Sequence, residues 1–273
     1  MSDYPHRFSS HDQYCKAIIR LVGSISGSYN TAVVFTDCCR CMQLSIASQV
    51  NTREHDRLEA EYMTYVEKYG KKGMLAMADV FSLVVECLDT YREDVLGHVL
   101  EALHATEKSF GQFFTPTSVS RMMSRITMAN LQPDSHGLIK ICDPAVGAGV
   151  NVIEAAESAI HEHHIAQRNI YVEGDDIDAT ACSICYVQLS LLGYAGVVRH
   201  MDTLSMKEFE APLYTPGYFF HAFPMRFPHG VFFASENIVD RPVEKKIPPH
   251  PSPVENPSPV VVIDNPDQMM FNF

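Results

Sequence analysis

Leu138-Ile139-Lys140-Ile141-Cys142-Asp143-Pro144-Ala145-Val146-Gly147-Ala148-Gly149 decides the fold of this 273-residue chain. An apolar run, Leu138 to Cys142, is stopped by an acid, a proline and two closely spaced glycines. Beyond them Val150, Ile153, Ala156 and Ile160 recur at helical spacing. The pattern predicts a buried strand over 138–142, a tight turn, and a helix from residue 150. Glycine suits such a turn because a Cβ would obstruct both the bend and anything resting against the backbone. A helix N-terminus reached through a glycine turn offers free N–H groups to a ligand; ordinary strand-to-helix loops share the pattern.

Working outward, Ile170 to Glu173 reads as a second strand that runs into Gly174-Asp175-Asp176-Ile177-Asp178. In nucleotide-binding α/β folds, an acid at the end of the second strand takes ribose hydroxyls. A third strand is expected over 196–200, with helices over 117–130, 150–165 and 178–192. That alternation implies right-handed βαβ units and a parallel sheet. Upstream, Gly111-Gln112-Phe113-Phe114-Thr115-Pro116 forms an aromatic turn ahead of a helix.

Taken in order, Gly111–Pro116, Asp143–Gly149, Gly174–Asp178 and Asp202-Thr203-Leu204 resemble the modification subunit of type I restriction systems and related N6-adenine DNA methyltransferases. The resemblance covers about residues 91–204, and the joint series is far more specific than any one piece. It implies an α/β fold: a helical N-terminal region followed by a Rossmann-like S-adenosylmethionine-dependent methyltransferase domain with a truncated sheet.

The N-terminal part fits that division. Helical patterns span 14–22, 31–50, 54–69 and 74–89, with Gly70-Lys71-Lys72-Gly73 as a turn between the last two. Asp94-Val95-Leu96-Gly97 opens another helix and is similar to the Asp-Leu-Leu-Gly helix that precedes the cofactor domain in the family. The expected domains are a helical region over 1–108, a methyltransferase-like domain over 109–235 and a Pro-rich tail over 236–273. Val260–Ile263, within that tail, is apolar enough to add a strand to a sheet.

Net charge is −12, from 21 basic and 33 acidic residues, which is unfavourable for gripping DNA unaided. Either a separate subunit or a small basic patch supplies that surface, or the protein does not hold DNA; the charge does not choose among the three. No apolar run approaches the roughly 20 residues of a membrane span, and the first residues lack the apolar core of a signal peptide. Eight cysteines without a secretory signal read as reduced, cytoplasmic thiols. Cys38, Cys39 and Cys41, like Cys182 and Cys185, have no matching partner pair, so core packing is expected rather than a metal. His161, His163 and His164 with Glu162 miss the metalloprotease spacing and read as solvated histidines at a helix end.

The resemblance implies roles by position. Phe114, Thr115 and Pro116 would hold the methionine end of S-adenosylmethionine. Asp143 would pair with its ammonium group, while Pro144, Ala145, Gly147 and Gly149 give clearance. Asp176, in Asp176-Ile177-Asp178, would take the ribose hydroxyls, and Asp202 the adenine edge. Asp143 and Asp178 could equally cap the next helix. The family's catalytic tetrapeptide is Asn or Asp, two prolines, then an aromatic that stacks on the flipped base. Here Thr215-Pro216-Gly217-Tyr218 stands at the matching distance, so Thr215, Pro216 and Tyr218 are the catalytic candidates. Asn265-Pro266-Asp267-Gln268 is a second candidate that lacks the aromatic.

Two functions follow from these expectations. One is transfer of a methyl group from S-adenosylmethionine to adenine N6 in DNA, without a metal and with a separate specificity or modification subunit. The other is a catalytically degenerate homologue that binds restriction-modification subunits as a regulator or decoy.

Overall fold

The computed structural model describes residues 7–27, 29–104 and 115–228, all within one unit, Met1–Ser235. Phe114, the Pro-rich segment over 236–273 and Asn265–Gln268 lie outside the described residues. Helix α1 (His11–Ser26) starts where the Ser10 hydroxyl accepts the N–H of Gln13. It buries Tyr14, Ile18 and Val22, four residues apart and therefore on one face. Helix α2 (Thr31–Val50) is capped by Asn30 and buries residues all round, among them Val34, Phe35, Cys38, Cys39, Met42 and Leu44. A helix apolar on every side needs neighbours on every side. α2 has them in α1, α3 (His55–Tyr91) and α7 (Ala179–Leu191). α3 is kinked at Gly70, whose φ of 60° no helix carries, where the sequence predicts a turn. Helix α4 spans Leu96–His104.

Helix α5 (Thr117–Met128) is turned so that two of its serines face inward. Ser120 and Ser124 are buried, whereas Val119, Met122, Met123 and Ile126 are exposed. The small serines bring α5 close to α6 (Val150–His161), and Arg121 joins the two helices through Glu154 at 2.9 Å.

The sheet carries the expected parallel core: β1 (Ile139–Asp143), β2 (Ile170–Asp176) and β3 (Ala195–Asp202), in that spatial order. Short antiparallel β4 (Lys207–Glu208) and β5 (Leu213–Tyr214) both pair with β3. β2 runs three residues beyond its expected end at Glu173. The charges tolerate a strand because Arg199 on β3 reaches Asp175 at 2.6 Å and Glu173 at 2.9 Å. Burial still pushes the Glu173 carboxyl up, against the pull of Arg199.

Strand alternation sends Ile139, Ile141, Val172 and Val198 into the main core, which runs without a break from Tyr14 through α2 and α7 to Leu213. The opposite face carries Leu138, Tyr171, Ala195 and Val197, packed with Phe223 and Phe227. Phe223 opens α9 (Phe223–Arg226), Phe227 directly follows it, and α9 itself follows α8 (Pro216–Phe220). All eight cysteines are free thiols, seven of them buried, in line with the core-packing expectation. Among the described residues no helix is long and apolar enough to cross a membrane.

Candidate functional site

Asp143, Asp176 and Asp202 are the last residues of β1, β2 and β3. Parallel pairing of the strands puts all three at one end of the sheet, Asp143 one strand from Asp176 and Asp176 one strand from Asp202. The tips are stepped: Asp143 pairs with Gly174, two residues before Asp176, and Asp176 pairs with His200, two before Asp202. Strand spacing and rise together set the outer two roughly 16 Å apart.

The loops behind the acids are tied together. Gly147 N–H donates to Asp176 Oδ2 at 2.8 Å, and Val146 N–H to the Asp175 carbonyl at 2.9 Å. The Thr203 hydroxyl donates to the Pro144 carbonyl at 3.2 Å, joining the loops after β3 and β1. Gly147 and Gly149 have φ of 55° and 98°, the left-handed region where glycine is favoured. A Cβ on Gly149 would lie 3.1 Å from Sγ of Cys185, whereas one on Gly147 would meet nothing within 4 Å. The glycine loop thus rests on α7 at one residue and faces open space at another.

Each acid also meets its own loop. Asp143 Oδ1 accepts Ala145 N–H at 3.0 Å, and Asp176 Oδ1 accepts Asp178 N–H at 2.9 Å. Asp143 does not cap α6, whose first position is taken by Gly149. Asp178 does cap α7, its Oδ1 accepting the N–H groups of Thr180 and Ala181. Asp202 is gripped by the Ser205 hydroxyl at 2.7 Å and by the N–H groups of Ser205 and Leu204, which hold its carboxyl below the usual range. Thr115 and Pro116 stand at the start of α5, which is joined to α4 by Thr117 and His98, 3.3 Å apart.

Thr215–Tyr218 is placed elsewhere. Tyr214 lies opposite Val197, and Thr215 N–H donates to the Gly196 carbonyl at 3.0 Å, near the amino end of β3. Six residues of strand, about 20 Å, separate that point from Asp202. The Thr215 side chain is fully buried. Its hydroxyl donates to the Tyr194 carbonyl at 2.7 Å and accepts Gly196 N–H at 3.0 Å. Tyr218 packs with Tyr214 and Phe223, their ring centres 4.5 and 5.8 Å away. Gly217 takes the place of the family's second proline, and a Cβ on it would come 2.5 Å from the Tyr194 carbonyl oxygen. The structure therefore brings the three acids and the glycine loop together and leaves the tetrapeptide at the other end of the sheet.

Two side chains that local patterns did not single out support the loop. Gln188 is wholly buried between α4 and the glycine loop, and Asp94, quoted only as a helix start, bonds to it. Among the described residues no group of three or more His, Cys, Asp or Glu side chains is placed to hold a metal ion.

The sequence profile described as N-6 DNA methylase matches residues 91–234. Comparison with curated proteins found no match to the chain. Two solved structures are similar over 74% of it: a protein assigned as a class I S-adenosylmethionine-dependent methyltransferase from Listeria monocytogenes, at 12% identity and a TM-score of 0.45, and a type I restriction-modification methyltransferase subunit from Streptococcus thermophilus, at 14% and 0.40. The chain spans 57% and 61% of their respective lengths. Matched by the profile over more than half its residues, the chain belongs to the N-6 DNA methylase family.

Proposed function

We propose that the chain binds S-adenosylmethionine at the carboxyl ends of β1, β2 and β3 and serves methyl transfer to N6 of adenine in DNA. The observation that carries this reading is the glycine loop cross-tied to Asp176, with Asp143 and Asp202 on the neighbouring strand tips. The residues fit such a ligand. Asp143 suits an ammonium group. Asp176 has one N–H on each oxygen, and a carboxylate offers about four acceptor sites, so each oxygen keeps room for a ribose hydroxyl. The open space beside Gly147 admits a ligand that a side chain would crowd. Asp202 stands where the family meets the adenine edge, and Phe114, Thr115 and Pro116 are assigned to the methionine end by resemblance.

The cofactor, when bound, supplies an electrophilic methyl group, and this chemistry needs no metal. The protein's part is orientation, which lowers the barrier by fixing donor and acceptor in line. A net charge of −12 disfavours gripping DNA unaided, which is consistent with help from a separate specificity or modification subunit, in a cytoplasmic restriction-modification setting. Calorimetry with S-adenosylmethionine tests the first step: no heat of binding from folded protein ends the proposal. Transfer of labelled methyl to unmethylated DNA, with and without a type I specificity subunit, tests the second.

The position of Thr215–Tyr218 favours a second reading. Buried and engaged inside the sheet, the Thr215 hydroxyl is closed to an adenine amine. A cofactor-binding homologue that regulates or decoys restriction-modification subunits would bind S-adenosylmethionine yet transfer methyl in no subunit combination.

A further inference from the structure

Gln188 on α7 makes four hydrogen bonds with no exposed surface. Its Oε1 accepts the N–H groups of Val95 and Leu96 at 2.8 and 3.2 Å, which are free donors at the start of α4. Its Nε2 donates to Asp94 Oδ1 at 2.8 Å and to the Ala148 carbonyl at 2.9 Å. Asp94 Oδ1 also accepts Gly97 N–H at 2.7 Å, capping the same helix. Gly97 completes the contact, because a Cβ there would lie 2.7 Å from Cβ of Ala148. Ala148 stands between Gly147 and Gly149. The first turn of α4 is therefore pressed against the glycine loop, and one carboxamide holds the two together.

The chemistry at this point is demanding. Two donors and two acceptors are needed on one planar group, and a glutamine side chain supplies both. A carboxylate would lose both donors and stand beside buried Asp94, whose carboxyl burial already pushes up. An apolar side chain of the same length would leave the Ala148 carbonyl and two α4 N–H groups without partners.

We propose that Gln188 is the positioning residue of the glycine loop: it fixes the Ala148 carbonyl to the Asp94-capped start of α4 and so sets where Gly147 meets its ligand. This deepens the proposed function and rests on it for the identity of the ligand. The helical region then tunes cofactor affinity without touching the cofactor.

The test compares wild type with Gln188→Met and Gln188→Glu at pH 8.5 and pH 5.5. It reads amide exchange across residues 145–153 and S-adenosylmethionine affinity by calorimetry. Titratable groups around the clamp are Asp94, with His98, His11, Cys15 and Cys185 near it; comparison with wild type at each pH cancels their own titration. Gln188→Met, which lacks every donor, exchanges the loop amides about tenfold faster and binds about tenfold more weakly at both pH values. Gln188→Glu shows the same deficit at pH 8.5. The site is fully buried and faces Asp94, which disfavours the charged form. Acidification to pH 5.5 therefore returns a proton to the carboxyl and with it one donor, and the deficit shrinks to about threefold or less.

Wild-type loop exchange and affinity in Gln188→Met overturn the clamp. So does a Gln188→Glu deficit that acidification leaves unchanged. If one variant fails to fold, the other still decides. Should wild type not bind S-adenosylmethionine, the proposed function falls and the clamp is judged on amide exchange alone.

Discussion

Asp143, Asp176 and Asp202 meet the N–H groups of their own loops at the carboxyl ends of the parallel strands, and a carboxylate so engaged still has lone pairs to offer. Thr215, at the amino end of β3, uses its one proton on the Tyr194 carbonyl and an acceptor site on Gly196 N–H. Both regions consist of a strand tip, a small-residue turn and a helix start. What separates them is hydrogen-bonding capacity within reach of a ligand: the acids are partly exposed, whereas Thr215 is fully buried. A short motif placed by spacing alone can thus fall on a buried joint of the sheet, and the coordinates show which end of the strand received it.

Gly217→Ala carries the largest expected effect. Its Cβ would meet the carbonyl oxygens of Tyr194 at 2.5 Å and Gly193 at 2.8 Å, so urea unfolding should show a loss of about 3 kcal/mol. Cofactor affinity per folded molecule should not move. Asp176→Ala is expected to do the reverse: about a hundredfold weaker S-adenosylmethionine binding, near 2.7 kcal/mol, with a small change in melting temperature. If both variants fail in stability alone, the two ends do not differ in function.

Thr215→Val comes next. It leaves the Gly196 N–H and the Tyr194 carbonyl unpaired in a buried place, at a cost of about 2 kcal/mol in stability. Any methyl transfer the assembled complex shows should survive; transfer lost at unchanged stability would dissolve the contrast.

The smallest effect belongs to His11, which lies near Asp94 but makes none of the clamp's hydrogen bonds. Burial, reinforced by His98, holds the His11 imidazole below its ordinary value near 6.5. Glu93 and Asp94 pull the other way. The folded protein therefore binds fewer protons there than the unfolded chain. Stability is full above about pH 6.5 and falls as pH drops toward the lowered folded value. His11→Gln should flatten that part of the profile while S-adenosylmethionine affinity at pH 8 stays put.

The strand over 138–142, the glycine turn and the next helix were legible because each rests on neighbours in sequence: an apolar run, two glycines, a 3.6-residue period. Gly70 marked the kink of α3 for the same reason. What stayed hidden depends on partners far along the chain. β2 continues through Glu173 and Asp175 only because Arg199 waits on β3, 24 residues beyond Asp175. Gln188 reads as one more polar residue on a buried helix until Asp94 and Ala148, 94 and 40 residues away, close on it. At the candidate site the acids could be named from their positions after strands, whereas the location of Thr215 depended on which edge of β3 the chain returned to.

One joint has a bearing on how the protein is made. Asn51, at the end of α2, accepts the N–H of Tyr214 and donates to its carbonyl, at 2.9 and 3.0 Å, across 163 residues. At a ribosomal pace of about 5–20 residues per second, that partner emerges roughly ten to thirty seconds after α2 does. α7, which packs on the flank of α2, is made before that, whereas the Asn51 amide has no β5 to bind until the interval ends. The carboxyl end of α2 is therefore locked only when the last stretch of sheet has been made, so final docking of the N-terminal helices is a late event in synthesis.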